Sequence, residues 1–343
     1  MPDITVIVAG GNPAMRIKLV KAVNATPGFR VISQASDLPA TYTVAEAMEP
    51  DVVLVARELT ILPEFSLMRS LFRALQARWI PVDHRGLGAV VPTSASSPES
   101  AGDLPAIDTA LPAAVVSAQI SAMIKQMPSR CPAHVLPPFR GAAAIRPGKI
   151  VLIGASTGGV DALLTVLSAM PADCPPVAVV QHTGQGFSDS LIRLLDRRCA
   201  VRVEAAQNGQ ALRAGHVLVA AGCPGHMRLR SNQPYRIGVE PGPPISGHLP
   251  SVDALFHSAL AAGPNVIAAL LTGMGRDGAE GLLALRNAGA TTIGQDERTS
   301  VVYGMPRAAW ELGAVRQQLP LADIAGAILR ACAHGPGEGR IVS

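Results

Sequence analysis

A glycine-framed segment, Gly154–Gly159 (GASTGG), carries a serine between the apolar run KIVLI and the helical pattern VDALLTVLSAM. This order predicts a strand, a tight turn and a helix. Residues 154–158 fit G-x-S-x-G, in which small flanking residues expose a serine hydroxyl as a nucleophile. A phosphate-binding loop uses a similar turn, although the Lys-Ser/Thr ending of a P-loop is missing here. A purely structural turn is the third interpretation, and the motif alone does not separate the three.

A serine nucleophile needs a general base, and the base needs an acidic residue that orients it. Open parallel sheets carry their sites at the carboxyl ends of the strands, so the residues that follow the other apolar runs are the candidates. His182 follows VAVVQ at once, and Asp277 lies in MGRDG after NVIAALLTG. Ser156, His182 and Asp277 are the three residue types that an acyl-transfer triad requires.

Each of these residues also has a structural interpretation. A histidine after a strand is often an ordinary loop residue, and an aspartate before glycine often forms a turn or caps a helix. Three other histidines compete for the role of base. His226 is one; His248 lies in the proline-flanked loop PPISGHLPSVD and is a candidate for lining a pocket; His257 falls within a helical pattern and is interpreted as structural.

The elements that must position these residues form two units. Short apolar runs alternate with helical patterns through the first third of the chain, and the alternation restarts at Lys149. This predicts an α/β protein with two doubly wound parallel-sheet domains, in keeping with a length of 343 residues. The predicted boundaries are a first domain over residues 1–127, a linker over 128–147, a second domain over 148–335 and a disordered tail over 336–343.

The composition excludes several classes of protein. Hydrophobic residues make up 48% of the chain and charged residues 16%, which favours packed cores over disorder. No apolar stretch reaches about 18 residues and no secretory leader is recognisable, so the protein is predicted to be cytoplasmic without membrane insertion. The net charge of +4 is not gathered into a basic stripe, which disfavours nucleic acid as a partner. The five cysteines are scattered and predict neither disulfides nor a zinc site.

Five segments follow one another over nearly all of residues 149–333: IGASTGG, QH, PPISGHLPSVDALFHS, LTGMGRDGAEGLLALRNAGA and VVYGMPRAA. In sequence and in order they resemble the catalytic domain of the chemotaxis protein-glutamate methylesterases, the CheB family. The resemblance implies a serine hydrolase that removes γ-methyl esters from glutamates of chemoreceptor cytoplasmic domains and releases methanol. Many members also deamidate receptor glutamines. Methyl-accepting chemoreceptors and other chemosensory array proteins are the implied partners, and no metal or organic cofactor is implied.

The resemblance also implies roles for individual residues. Ser156 would be the nucleophile, His182 the general base and then acid, and Asp277 the buried carboxylate that fixes the imidazole tautomer. Main-chain N–H groups near the nucleophile and near Met274 would hold the oxyanion. Thr157 would support the site through its hydroxyl.

The chain departs from the family pattern in two places. Thr183, Gly184 and Gln185 follow His182, where the family usually has a Met-Pro type of turn. Gly247 and Leu249 flank the histidine of the PPISGHLPSVD loop, where the family usually carries arginines. Those arginines would attract an acidic receptor helix, so their absence affects the predicted identity of the substrate more than the predicted reaction.

The first domain resembles a phosphoacceptor receiver from ITVIVAGGNPAMRIKLV to PDVVLVARELT. The alignment puts Gly10 and Gly11 at the acidic, magnesium-binding pair and Ala56 at the phosphorylated aspartate. Glycine and alanine supply neither an oxygen nucleophile nor a metal ligand, so the domain is predicted to be a pseudo-receiver. Asp51 and Glu58 are not expected to substitute, since one would cap the start of a strand and the other would follow it.

Two other functions compete with the hydrolase. A catalytically idle adaptor would keep the same fold to bind receptors, but the three triad residue types argue against it. A nucleotide-binding module would use GASTGG for phosphate, but the motif has neither of the usual endings.

Overall fold

The computed structural model describes residues 3–62, 64–83, 106–126, 146–184, 187–230 and 234–333. The chain divides into two compact units, residues 1–134 and 135–343. This division falls within the predicted linker, most of which lies outside the described residues, as does the predicted tail 336–343. Within the described ranges, no helix is both long enough and apolar enough to cross a membrane.

The N-terminal unit contains a parallel sheet of five strands in the order β2-β1-β3-β4-β5, with helices in the connections. Its elements are β1 Ile4–Ala9, α1 Pro13–Asn24, β2 Phe29–Ala35, α2 Leu38–Met48, β3 Val52–Ala56, α3 Arg57–Thr60, α4 Phe65–Leu75, β4 Arg78–Asp83, β5 Ile107–Asp108 and α5 Ala113–Gln126. Strand β3 is apolar throughout because helices cover both faces of the sheet, and all five of its residues are buried. The strand order is that of the flavodoxin-like doubly wound folds, so the unit is receiver-like and the predicted α/β class is confirmed.

The C-terminal unit contains a parallel sheet of seven strands in the order β14-β13-β12-β6-β7-β9-β8 and an antiparallel hairpin, β10-β11. Its elements are β6 Ile150–Ala155, α6 Gly159–Ser168, β7 Val177–Gln181, α7 Ser188–Arg198, β8 Arg202–Ala205, β9 His216–Ala221, β10 His226–Leu229, β11 Ile237–Glu240, α8 Val252–Ser258, a 3₁₀ turn at Leu260–Asn265, β12 Val266–Leu270, α9 Ala279–Asn287, β13 Thr291–Gln295, α10 Met305–Glu311, β14 Gln317–Leu319 and α11 Leu321–Ala333. The second predicted parallel-sheet domain is confirmed.

Strand β6 lies between β7 and β12 in this sheet, and this placement positions the site. Ala155 at the end of β6 is in register with Gln181 at the end of β7, and Gly154 is in register with Leu270 at the end of β12. Every residue of β6 is buried, and Ile150 and Leu152 belong to the same hydrophobic core as residues of α8 and α9. The segments that follow these three strands therefore emerge side by side at one edge of the sheet.

Candidate active site

Ser156 lies in the turn between β6 and α6. Its N–H donates to the Thr272 carbonyl at 3.0 Å, and its own carbonyl accepts from Gly159 N–H at 2.8 Å. Gly158 has a φ of +78°, and a Cβ placed there would lie 2.5 Å from the Val301 Cβ, so both conformation and space require glycine. The serine is 9% exposed. The turn therefore holds one serine rigidly at the carboxyl edge of the sheet.

Gly273, in the segment after β12, is packed against the serine. A Cβ on Gly273 would lie 2.6 Å from the Ser156 Cβ and 2.3 Å from the Met305 Sδ. Ordinary packing does not allow contacts this short, since non-bonded carbon atoms rest about 3.5–4.0 Å apart. The missing side chain thus lets two main-chain segments approach closely and sets the position of Ser156.

We expect Gly273→Ala to displace Ser156 and the start of α10. The predicted result is a fall of about 100-fold in kcat/KM for ester hydrolysis, together with a lower melting temperature. Gly11→Ala is the matched control, since a Cβ there would meet only the Ser36 carbonyl oxygen, at 3.8 Å. Wild-type kinetics and stability in Gly273→Ala would show that this packing does not set the serine's position.

His182 directly follows β7 and is bonded to Asp277. The main-chain N–H of His182 donates to the Ala155 carbonyl at 3.0 Å, which joins the ends of β6 and β7. Its Nε2 lies 2.9 Å from Asp277 Oδ2, with side-chain exposures of 8% and 0%. Its Nδ1 is buried and has no hydrogen-bond partner within the described part of the chain. Because an ionised carboxylate only accepts, Nε2 carries a proton, and in the neutral imidazole Nδ1 then has a free lone pair.

Asp277 receives four hydrogen bonds. Its Oδ1 accepts from Ser251 Oγ at 2.8 Å and from the Asp253 N–H at 3.0 Å. Its Oδ2 accepts from the Val252 N–H at 2.8 Å and from His182. Burial alone would raise the pKa of Asp277, but the hydrogen bonds from His182 and from the start of α8 outweigh it and lower that pKa. The carboxylate is therefore ionised at neutral pH, as an orienting group must be.

A second buried carboxyl, Asp253, lies beside Asp277. Burial raises the pKa of Asp253, the N–H of Gly281 that donates to it at 2.7 Å opposes this, and the negative charge of Asp277 raises the pKa further. Two adjacent buried carboxylates repel each other, so ionising both destabilises the folded state. The carboxyl group of Asp253 accepts hydrogen bonds from the Ser246 hydroxyl and the Gly281 N–H. Among the described residues, no hydrogen bond joins it to His182.

We expect Asp253→Asn to stabilise the protein in a pH-dependent way. Since the folded-state pKa of Asp253 is raised above its unfolded value, the contribution of Asp253 to the stability of the wild type falls as pH rises from about 4 through the folded pKa. The asparagine lacks this loss and keeps the acceptor for Gly281. Thermal unfolding should show a melting temperature about 2–4 °C above wild type at pH 7, with the difference vanishing near pH 4. A difference that grows toward acid pH would contradict the assigned direction.

Two buried glutamines that sequence reasoning missed bracket the serine. Gln181 Nε2 donates to the carbonyls of both Ser156 and His182 at 2.9 Å, which ties the two segments together. Gln295 Oε1 accepts from the Thr272 N–H at 2.7 Å and supports the segment on the other side. A sequence signal did exist for Gln181, because it ends a strand whose other residues are all apolar, whereas the strand that ends at Gln295 begins with two threonines and gives no such signal.

The main-chain N–H groups predicted to hold an oxyanion lie in the segments of Ser156 and Gly273. The N–H of Ser156 itself is occupied by the Thr272 carbonyl. The N–H groups of Thr157 and Met274 have no recorded acceptor among the residues that the structure describes. The Met274 side chain is 69% exposed. The recorded hydrogen bond of Thr157 is made by its carbonyl, which accepts from Thr272 Oγ1 at 3.0 Å, so the supporting role of its hydroxyl stays a prediction.

The competing histidines have different surroundings. His257 lies in α8, as interpreted, and its Nδ1 bonds the Asp253 carbonyl at 2.9 Å. His226 is buried and bonded through both ring nitrogens to the loop that precedes α8. The ring of His248 is stacked on the ring of His182, with centroids 3.7 Å apart and planes 6° apart. The structure therefore brings His248 to the site without a hydrogen bond to Asp277.

The described cysteines and acidic residues offer neither a reactive thiol nor a metal-binding cluster. Burial raises the pKa values of the Cys174, Cys199 and Cys332 thiols to about 12, which leaves these thiols protonated and unreactive. No group of three or more His, Cys, Asp or Glu side chains in those ranges is placed to hold a metal ion.

Comparison with known proteins agrees with this geometry. The CheB methylesterase family model matches residues 151–328, which is more than half of the chain. The chain belongs to the CheB methylesterase family. This CheB-family chain is 38% identical over 341 residues to a protein-glutamate methylesterase/protein-glutamine glutaminase of Agrobacterium fabrum, with 95% of each chain covered. A relative of the same name from Bordetella parapertussis is 51% identical over 183 residues, 53% of this chain and 52% of that one.

A solved structure supports the same assignment for the C-terminal unit. The crystal structure of the Thermotoga maritima CheB methylesterase catalytic domain matches with a TM-score of 0.52 and 34% identity, covering 54% of this chain and 99% of that chain. The family predicted from the sequence segments is therefore confirmed.

Proposed function

We propose that this CheB-family protein is a serine hydrolase that cleaves glutamate γ-methyl esters on the cytoplasmic domains of methyl-accepting chemoreceptors. The observation that carries the proposal is the buried His182–Asp277 pair. Its remaining imidazole nitrogen has no partner among the described residues, and its strand ends beside the strand of Ser156. The Agrobacterium fabrum protein-glutamate methylesterase/protein-glutamine glutaminase, which matches over 95% of this chain, supports the substrate class.

The first step forms an acyl-enzyme. Ser156 Oγ attacks the ester carbonyl while its proton passes to His182 Nδ1, and Asp277 stabilises the resulting imidazolium through Nε2. The negative charge that develops on the carbonyl oxygen is held by the main-chain N–H groups of Thr157 and Met274. In well-studied enzymes one such donor contributes about 3–4 kcal/mol.

The tetrahedral intermediate then collapses. The methoxy oxygen takes the proton from His182 Nδ1 and leaves as methanol, while the glutamyl group stays esterified to Ser156. In the second half, water attacks the acyl-enzyme and gives its proton to His182, which returns it to the serine oxygen as the free carboxyl departs. The same attack on a receptor glutamine would release ammonia in place of methanol, which accounts for a glutaminase activity. No metal or organic cofactor takes part.

The test is a direct assay of methanol release. The full-length protein is incubated with a receptor cytoplasmic domain carrying radiolabelled methyl esters, and volatile methanol is measured over time. We expect release proportional to protein concentration, and none from the same receptor with alanine at its acceptor glutamates. If the labelled methyl groups stay on the receptor at every protein concentration, the proposed substrate is wrong.

The partners follow from this substrate. Chemoreceptor cytoplasmic domains would be the principal partners and other chemosensory array proteins further ones, so the protein would work in the cytoplasm. The mild net charge of +4 supports a protein partner rather than nucleic acid.

We also propose that the receiver-like unit does not accept a phosphoryl group at the usual position. Gly10 follows β1, and a Cβ placed on it would lie 2.7 Å from the Ala56 Cβ and 2.3 Å from the Met15 Cε. Met15 and Ala56 are fully buried, so apolar groups fill this edge of the sheet. Asp51 accepts from the Thr5 N–H and hydroxyl at the opposite end of β3. Neither Gly10 nor Gly11 supplies a carboxylate for a cation.

Acetyl phosphate tests the pseudo-receiver proposal. The purified protein is incubated with acetyl phosphate and Mg²⁺ and analysed by intact mass spectrometry. We expect no gain of a phosphoryl group, with a phosphorylatable receiver domain as the positive control under the same conditions. A stable phosphoryl adduct in the N-terminal unit would overturn the proposal.

A further inference from the structure

A second imidazole, that of His248, covers one face of the His182 ring. The ring centroids are 3.7 Å apart and the ring planes are within 6° of parallel. The hydrogen bond from Nε2 to Asp277 holds the His182 ring at one edge atom only, so by itself it leaves the ring free to swing about that bond. A flat ring pressed against the face removes this freedom. Edge and face together determine where Nδ1 points.

The loop that carries His248 is rigid at the histidine. Residues Ile245 and His248 exchange two main-chain hydrogen bonds, at 3.1 and 2.9 Å. The two residues between them, Ser246 and Gly247, have φ values of +51° and +80°, as in the tight turns that close β-hairpins. A two-residue turn closed on both sides has little freedom, so the main chain presents His248 in a fixed direction.

Buried His226 fastens both ends of this loop. Its Nε2 donates to the Pro243 carbonyl at 2.9 Å, and its Nδ1 accepts from the Ser251 N–H at 3.2 Å. The tautomer with its proton on Nε2 makes both bonds, and His226 is only 2% exposed. Ser251 in turn donates from its hydroxyl to Asp277 Oδ1 at 2.8 Å. The loop is therefore linked, through His226 and Ser251, to the same carboxylate that holds His182.

The charge state of His248 suits the stack. Burial lowers the pKa of His248, and the neighbouring His182 lowers it further, while Asp277 acts in the opposite direction. A neutral His248 ring is compatible with a protonated His182, because the face of a neutral aromatic ring attracts a cation, whereas two stacked imidazolium ions would repel each other.

We propose that His248 is a positioning residue, which fixes the plane of the His182 imidazole and so aims Nδ1 toward the Ser156 hydroxyl. This inference rests on the proposed hydrolase function. It explains why a histidine without a hydrogen bond to the triad lies against the general base. It also gives His226 a part, as the support of the loop that carries the stacked ring.

The test compares two substitutions of similar apolar character, of which only one is flat. His248→Phe keeps a planar ring over His182, whereas His248→Leu does not. We expect His248→Leu to lower kcat for methanol release about 10- to 100-fold with KM within about threefold of wild type, because orientation rather than binding is lost. His248→Phe should recover kcat to within about fivefold of wild type. His257→Ala, at an exposed histidine of α8, should leave kcat unchanged.

NMR spectroscopy tests the stacking of the two rings without substrate. In protein labelled at histidine, the ring protons of His182 should carry an upfield ring-current shift that disappears in His248→Leu and persists in His248→Phe. Melting temperatures of each variant separate loss of positioning from loss of folding. Unchanged His182 resonances, or a folded His248→Leu with wild-type kcat, would overturn the proposal. Wild-type protein that releases no methanol, yet shows the shift and its dependence on His248, would instead refute the hydrolase function and support the positioning of the ring.

Discussion

Ser156→Ala is expected to lower the rate of methanol release by about 10⁴-fold or more. Removing Oγ removes the atom that forms the acyl-enzyme, and His182 then has no hydroxyl proton to take. Triad members act as a unit, so the activity that remains should come only from the oxyanion donors and substrate binding. The measurement is single-turnover methanol release, with gel analysis of the acyl-enzyme, which should be undetectable in the variant.

Ser168→Ala is the matched control for this substitution. Ser168 lies at the far end of the helix that begins at Gly159, and its hydroxyl makes one hydrogen bond, of 3.4 Å, to the Thr165 carbonyl. It should keep wild-type kinetics. Methanol release within about tenfold of wild type by Ser156→Ala would assign the nucleophile to another residue.

Asp277→Asn is expected to lower kcat by about 10⁴-fold while the protein stays folded. An asparagine amide cannot accept on both sides as the carboxylate does. At the Oδ1 position its NH₂ group would face the Asp253 N–H, and at the Oδ2 position it would face the Val252 N–H together with the Nε2–H of His182. In the second orientation the imidazole would move its proton to Nδ1, and the nitrogen that takes the serine proton would lose its lone pair. Measurement of kcat should be paired with ¹⁵N spectra of the His182 ring, in which the protonated nitrogen is expected to change from Nε2 to Nδ1.

Asp253→Asn is the control that separates the effect of the His182 tautomer from the effect of the cluster's negative charge. It also removes one buried carboxylate within the same cluster, but no recorded bond of the described residues joins Asp253 to His182. We expect its kcat to stay within about tenfold of wild type. Equal losses in the two variants would mean that the negative charge of the cluster, and not the orientation of the imidazole, supports the chemistry.

Several features of the site could be predicted from sequence because local patterns determine them. GASTGG, QH and TGMGRDG each follow an apolar run, and parallel strands bring such segments to one edge of a sheet. The register of β6 with β7 and with β12 brings the segments that follow these three strands to one edge of the sheet, which is where the strand-end argument placed them. The α/β class with two parallel sheets followed from the same alternation of apolar runs and helical patterns.

Other features depend on contacts between segments distant in the chain. Which nitrogen of His182 faces Asp277 is decided by the main-chain direction after β7 and by the start of α8, and no residue type encodes it. The double hydrogen bond of Gln181 and the stacking of His248 likewise join segments that no periodicity connects. The hairpin β10-β11 was not predicted, because its strands HMRL and IGVE are four residues long and neither contains a continuous apolar run.

The central place of β6 has a consequence for biosynthesis. His182 and Asp277 are separated by 95 residues, and contacts of such range form late because a long loop must close before they contribute. A ribosome that has released β6 and β7 has exposed the serine and the imidazole, but Asp277 and the start of α8, whose N–H groups donate to its carboxylate, are still untranslated. If the proposed triad is correct, we expect the growing polypeptide to hydrolyse esters only weakly until Asp277, in the last quarter of the chain, has been synthesised.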